Sequence, residues 1–190
     1  MTQAAGKKIS QFIGATELLD TDYVTLISAG VNYKMLVLDF KAGLGITGAA
    51  PKGLISMQGN TTDTDIVTQN VPVLVAGVWN STTVDNFSAS AAGRLTYTAA
   101  ITQQFTIDST VTMHPTSSTV DCAMLIAKNG AVITESQMWS HINHNSEQQV
   151  SSIWIVSLSQ NDYIEIFVSN LSGTQDIEVN SAIIRATLCP

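Results

Sequence analysis

The sequence predicts an all-β protein, an antiparallel jelly-roll sandwich of about eight strands preceded by a small N-terminal hairpin module. Three observations carry this expectation. Phe105 to Met113 alternates Phe105, Ile107, Ser109, Val111 and Met113 with Thr106, Asp108, Thr110 and Thr112, the two-residue period of a strand with one face buried and one wet. Hydrophobic residues make up 45% of the chain and charged residues 12%, about half the usual charged share, with Thr, Ser, Val and Ile abundant. No segment beyond residue 50 has a helical period.

Taken in order, the first element is a hairpin. Asp22 to Ala29 alternates like a strand, Gly30 to Asn32 offers a turn, and Tyr33 to Val37 pairs back. Leu38 to Ala42 reads as a short helical turn ended by Gly43, since glycine readily adopts the left-handed cap. The Gly- and Ala-rich run 43–53, which contains Pro51, marks a boundary. The chain therefore divides into an anchoring module at 1–45, a linker at 46–53 and a main domain at 54–190. The module has too few apolar side chains to fold unaided and calls for a partner surface.

In the main domain, Leu54 to Met57, Val71 to Trp79 and Arg94 to Thr98 read as strands ahead of the 104–113 strand. Ala123 to Ala127 and Ala131 to Thr134 flank Lys128-Asn129-Gly130, and Asn-Gly supplies the positive φ angles of a tight hairpin turn. Ser152 to Leu158, a polar turn at 159–162 and Tyr163 to Val168 read as a second hairpin, with Ile177 to Leu188 as the last strand.

Two strands are apolar on both faces. In Ile153-Trp154-Ile155-Val156 both parities are apolar, and Tyr163, Glu165 and Phe167 oppose Ile164, Ile166 and Val168. One parity serves the core and the other requires separate cover. A second copy of the chain is the simplest cover, which makes Ile153, Ile155, Tyr163 and Phe167 candidate subunit-interface residues.

The net charge is −7, and residues 51–190 carry the imbalance with four bases against eleven acids. Such a surface repels phosphate backbones and anionic headgroups, so neither nucleic acid nor membrane is an expected partner. The start, MTQAAGKKIS, lacks the apolar stretch of a signal peptide, which places synthesis in a cytoplasm. There Cys122 and Cys189 are expected as free thiols.

No reaction chemistry emerges from the motifs. His141 and His144 have an H-x-x-H spacing, but WSHINHN reads as a loop without a third ligand. Asp63 and Asp65 lack the spacing of a calcium loop. No nucleophile elbow, phosphate loop or dinucleotide fingerprint is present. The expectation is a non-enzyme with no cofactor. Of the three tryptophans, Trp139 beside the His segment is the one placed to stack on a sugar ring; Trp154 lies mid-strand.

Two stretches carry a family resemblance. KKISQFIGATELLDTDYVTLISAGVNYKMLVLDF, about residues 7–45, resembles the short anchoring module of bacteriophage fibre, spike and decoration proteins, with Phe12-Ile13-Gly14 where that module usually has a Leu-Pro pair. The remainder, above all VSLSQNDYIEIFV, is similar to phage jelly-roll domains related in shape to tumour necrosis factor trimers. The resemblance implies a homotrimer on the virion surface, assembled in the host cytoplasm. It would dock to the major capsid protein or a tail component through Ile9, Phe12, Leu18, Leu19 and Tyr23. A tail-fibre protein that recognises a host glycan through loops such as 135–147 is the alternative, and a polysaccharide-degrading enzyme is a third, weaker one.

Overall fold

The computed structural model describes residues 23–28, 31–36 and 51–189, with side chains described only in the last of these segments and not for Thr82 or Thr83. The chain falls into two units, Met1–Gly48 and Ala49–Pro190. The first contains an antiparallel hairpin of β1 (Tyr23–Ser28) and β2 (Val31–Leu36). Its register runs from Tyr23↔Leu36 to Ser28↔Val31, so Val31 and Asn32, expected in the turn, lie in β2. Ile9, Phe12, Leu18, Leu19 and the helical turn at 38–42 lie outside the described residues, as does the side chain of Tyr23.

The second unit is a two-sheet sandwich. Its strands are β3 (Lys52–Gln58), β4 (Asp63–Thr64), β5 (Val73–Leu74), β6 (Asn80–Asp85), β7 (Phe87–Ala89), β8 (Leu95–Tyr97) and β9 (Gln103–Pro115). They continue with β10 (Val120–Lys128), β11 (Ala131–Val132), β12 (Met138–Ile142), β13 (Gln148–Leu158), β14 (Tyr163–Asn170) and β15 (Ile177–Leu188). The first sheet has the order β13-β9-β15-β3-β6, with β4 on β15. The second has the order β11-β10-β14-β8-β7, with β12 also on β10 and β5 on β14. From β9 onward the chain passes from the first sheet to the second at β10 and β12, back at β13, over again at β14 and back at β15. Most of the long strands thus pair with strands distant in sequence, and every pair is antiparallel, which is the jelly-roll arrangement the sequence predicts.

Alternation places the core. Phe105, Ile107, Ser109, Val111 and Met113 of β9 are all buried, as are Cys122, Met124 and Ile126 of β10 and Ile164, Ile166 and Val168 of β14. Phe105 meets both Phe87 and Tyr97 edge to face, the geometry that the ring quadrupoles favour, and Phe87 and Tyr97 are tilted against each other, all three pairs with centroids 5.0–5.2 Å apart. Cys122 is buried and Cys189 half-buried, both as free thiols. Burial pushes the Cys122 thiol up to about 12, since a thiolate loses its hydration there.

Several boundaries differ from the sequence expectation. The first strand of the sandwich begins at Lys52, inside the segment read as linker. Val71 to Trp79 forms only the two-residue β5: Pro72 lacks a ladder donor, and Gly77 has φ 139° against Met57 and Asn60. Asn80–Asp85 forms a strand that the sequence reading does not include. The Asn129-Gly130 turn forms as expected, with φ of 54° and 77° and the pair Lys128↔Ala131 closing it.

The expected hairpin of 152–158 with 163–168 does not form, because β13 pairs with β9 and β14 pairs with β10, in opposite sheets. The turn between them redirects the chain. Asp162 accepts hydrogen bonds from Ser159 N–H at 2.8 Å and Asn129 Nδ2 at 2.7 Å, and pairs with Lys128 Nζ at 2.8 Å. The β10–β11 turn is thereby tied to the crossover.

Candidate subunit interface

The outward face of the first sheet is built from the residues that alternate with the core. Across β13, β9, β15 and β3 the register aligns Ile153, Asp108, Arg185 and Leu54 in one row. The next row toward the end of β13 is Ile155, Thr106, Thr187 and Lys52, and the preceding one is Ser151, Thr110, Ile183 and Ser56. Ile153 is 66% exposed, Ile155 59% and Ile183 43%. Three large aliphatic side chains therefore stand in solvent on one sheet face.

The polar members of this face are mostly neutral or already paired. Arg185 donates from Nε at 2.9 Å and Nη2 at 2.6 Å to Asp108 Oδ2, which joins the two central strands. The Thr110 and Ser151 hydroxyls share a hydrogen bond of 2.9 Å. Lys52 lies 3.4 Å from Asp85. Such a surface meets a copy of itself without bringing unpaired like charges together, and a row of hydroxyls adapts its donors and acceptors to either partner.

The four residues singled out from the sequence do not lie together. Ile153 and Ile155 are on this face, whereas Tyr163 and Phe167 are on the outward face of β14 in the opposite sheet. That second face is largely covered within the chain. Phe167 is half-buried between its register partners Leu125 and Leu74. Tyr163 lies under Arg94, whose guanidinium carbon is 4.7 Å from the ring centroid. Glu165, between them, is 1% exposed and accepts from Arg94 Nε at 2.8 Å, the charged partner that a buried carboxylate requires. The sequence gives no sign of this cover, because Arg94 and Glu165 are far apart along the chain.

The remaining candidates fall into place individually. His141 lies on β12, its Nδ1 2.7 Å from Asp121 Oδ1, and His144 is exposed in the following loop. The His141 hydrogen bond, opposed by burial, lowers the Asp121 carboxyl from its ordinary range. Trp79 is buried, Trp154 packs partly buried against the core, and Trp139 is 62% exposed. Among the described residues, no three His, Cys, Asp or Glu side chains are grouped so as to hold a metal.

No family model and no curated relative matches the chain. The sandwich is similar in shape to solved structures of murine APRIL at pH 5.0, with 12% identity, a TM-score of 0.48 and coverage of 72% of this chain and 99% of that one. At pH 8.0 murine APRIL gives 11% identity, a TM-score of 0.49 and the same coverage. Eiger TNF from S. frugiperda gives 15% identity, a TM-score of 0.46 and coverage of 73% and 94%. Neither assembly nor binding is carried over from those proteins to this one.

Proposed function

We propose that the chain is a non-enzymatic structural protein of a bacteriophage virion, a homotrimer held together by the outward face of the β13-β9-β15-β3-β6 sheet and docked by its N-terminal module. The observation that carries the self-association is the exposed set Ile153, Ile155 and Ile183 on one sheet face, whereas the outward side chains of β14 on the other sheet are largely covered within the chain. Covering that set removes apolar area from water at roughly 25 cal/mol per Å². The number three and the virion setting rest on the resemblance of residues 7–45 and of the jelly-roll segments to phage proteins. The non-enzymatic part of the reading rests on the sequence, which carries no recognisable reaction motif.

Quantitative mass spectrometry of purified particles tests the reading. The chain is expected in every particle at a copy number divisible by three, and deletion of residues 1–45 removes it from particles while the free protein keeps its oligomeric mass. Particles that lack the intact chain, or that take up the truncated form at the same copy number, refute the proposal.

A further inference from the structure

On the sheet opposite Ile153 and Ile155, β12 presents a group of exposed side chains. Trp139 and His141 are two residues apart and share the outward parity, while Ile142, of the opposite parity, is fully buried. Across the strand pair, Trp139 is opposite Ala123 and His141 is opposite Asp121. Ala123 is completely buried, and Trp139 next to it is 62% exposed. The indole therefore stands in solvent on the same outward parity as His141. The polar side chains beside it are held in place: Asp121 Oδ1 is 2.7 Å from His141 Nδ1, and Asp121 N–H donates to Ser172 Oγ at 2.9 Å.

We propose that Trp139, His141 and Asp121 form a binding site for an uncharged pyranose ring. An indole carries negative charge on its face, and the axial C–H groups of a pyranose carry slight positive charge, so ring and sugar stack with their apolar surfaces in contact. Adjacent sugar hydroxyls need partners that both donate and accept. The second oxygen of Asp121 accepts, and the outer ring nitrogen of His141 accepts or donates according to its tautomer. Hydrogen bonds to an ionised carboxylate are about twice as strong as neutral ones, which sets the orientation of the ring on its platform. Asn143, Asn145 and Ser146 follow in the exposed loop beyond β12 and add neutral amide and hydroxyl groups. A phosphorylated ligand is disfavoured by Asp121 and by the chain's net charge of −7. The site stands independently of the subunit interface, because its residues lie on the other sheet.

Saturation-transfer NMR of the full chain against glucose, galactose, mannose and N-acetylglucosamine tests the proposal. One shallow site of this kind binds in the millimolar range, so sugars are added at about 10–50 mM. The expected result is transfer to the ring C–H protons of at least one sugar, weakened on the order of tenfold or more in affinity by Trp139→Ala and by Asp121→Asn, and retained by Trp139→Phe. Circular dichroism and oligomeric mass are expected to stay at wild-type values. Should Trp139→Ala lose strand content, Asp121→Asn and His141→Ala decide through the same readout. The proposal is overturned if none of the four sugars shows transfer, if the variants bind as the wild type does, or if Trp139→Ala changes the oligomeric mass, which would make Trp139 a subunit contact.

Discussion

Asp162 shows how one side chain holds two connections. Burial alone would raise its pKa, but Lys128, Asn129 and the Ser159 N–H outweigh it and bring the carboxyl down to about 2. A carboxyl depressed on folding stabilises the protein above its unfolded value of about 3.9, and that contribution is lost as pH falls through about 2. Asp162→Asn is therefore expected to lower the melting temperature at neutral pH by a few degrees and to flatten its fall between about pH 4 and 2. Wild-type and variant melting curves that stay parallel over that interval would remove Asp162 from the acid response. The Asn129-Gly130 turn was legible because a dipeptide specifies it, and the polar turn at 159–162 was legible as a turn. Its tie to Lys128 and Asn129 was not, since a side-chain contact between two loops leaves no local pattern.

Among the elements, β13 is the most informative. Its alternation was readable, with Val150, Ser152, Val156 and Leu158 turned inward and Ile153 and Ile155 outward. Its pairing partner was not readable: a strand, a short polar turn and another strand have the same sequence signature whether they form a hairpin or a crossover between sheets. Ile153→Asp is expected to dissociate the oligomer while leaving strand content intact, since it removes about 2–3 kcal/mol of burial at each copy and adds a carboxylate that must be desolvated. Val156→Asp, 7% exposed in the core, is expected to unfold the domain instead. Phe167→Asp, on the opposite sheet, is expected to lower stability and leave association unchanged. Light scattering and circular dichroism on the three variants separate these outcomes, and a Phe167 variant that dissociates while the Ile153 variant does not would transfer the interface to the other sheet.

At the scale of the whole molecule, the two units Met1–Gly48 and Ala49–Pro190 make separate predictions. Residues 49–190 alone are expected to sediment as a stable trimer, because the exposed isoleucines of β13 and β15 and the sandwich core both belong to this unit. A folded monomer at micromolar concentration would contradict it. The two-sheet class was legible from period-two alternation, since a strand needs a buried face wherever its partner lies. Strand order was not, and neither were the short polar strands such as Asn80–Asp85, whose place is fixed by pairing with Lys52–Ser56 and not by their own composition.

The last strand described, β15, lies in the middle of its sheet, bonded to β9 on one side and to β3 on the other. During synthesis the first strand of the sandwich must therefore wait for more than half of the chain to emerge before its principal neighbour exists. Until then β3 and β9 each have an open edge, and an open edge is what one nascent chain offers to the next on the same message. Pairings this distant also slow the closing step. The productive route thus depends on how long those edges stay apart, and crowded translation or an early stop before Ile177 turns the same strands toward aggregation.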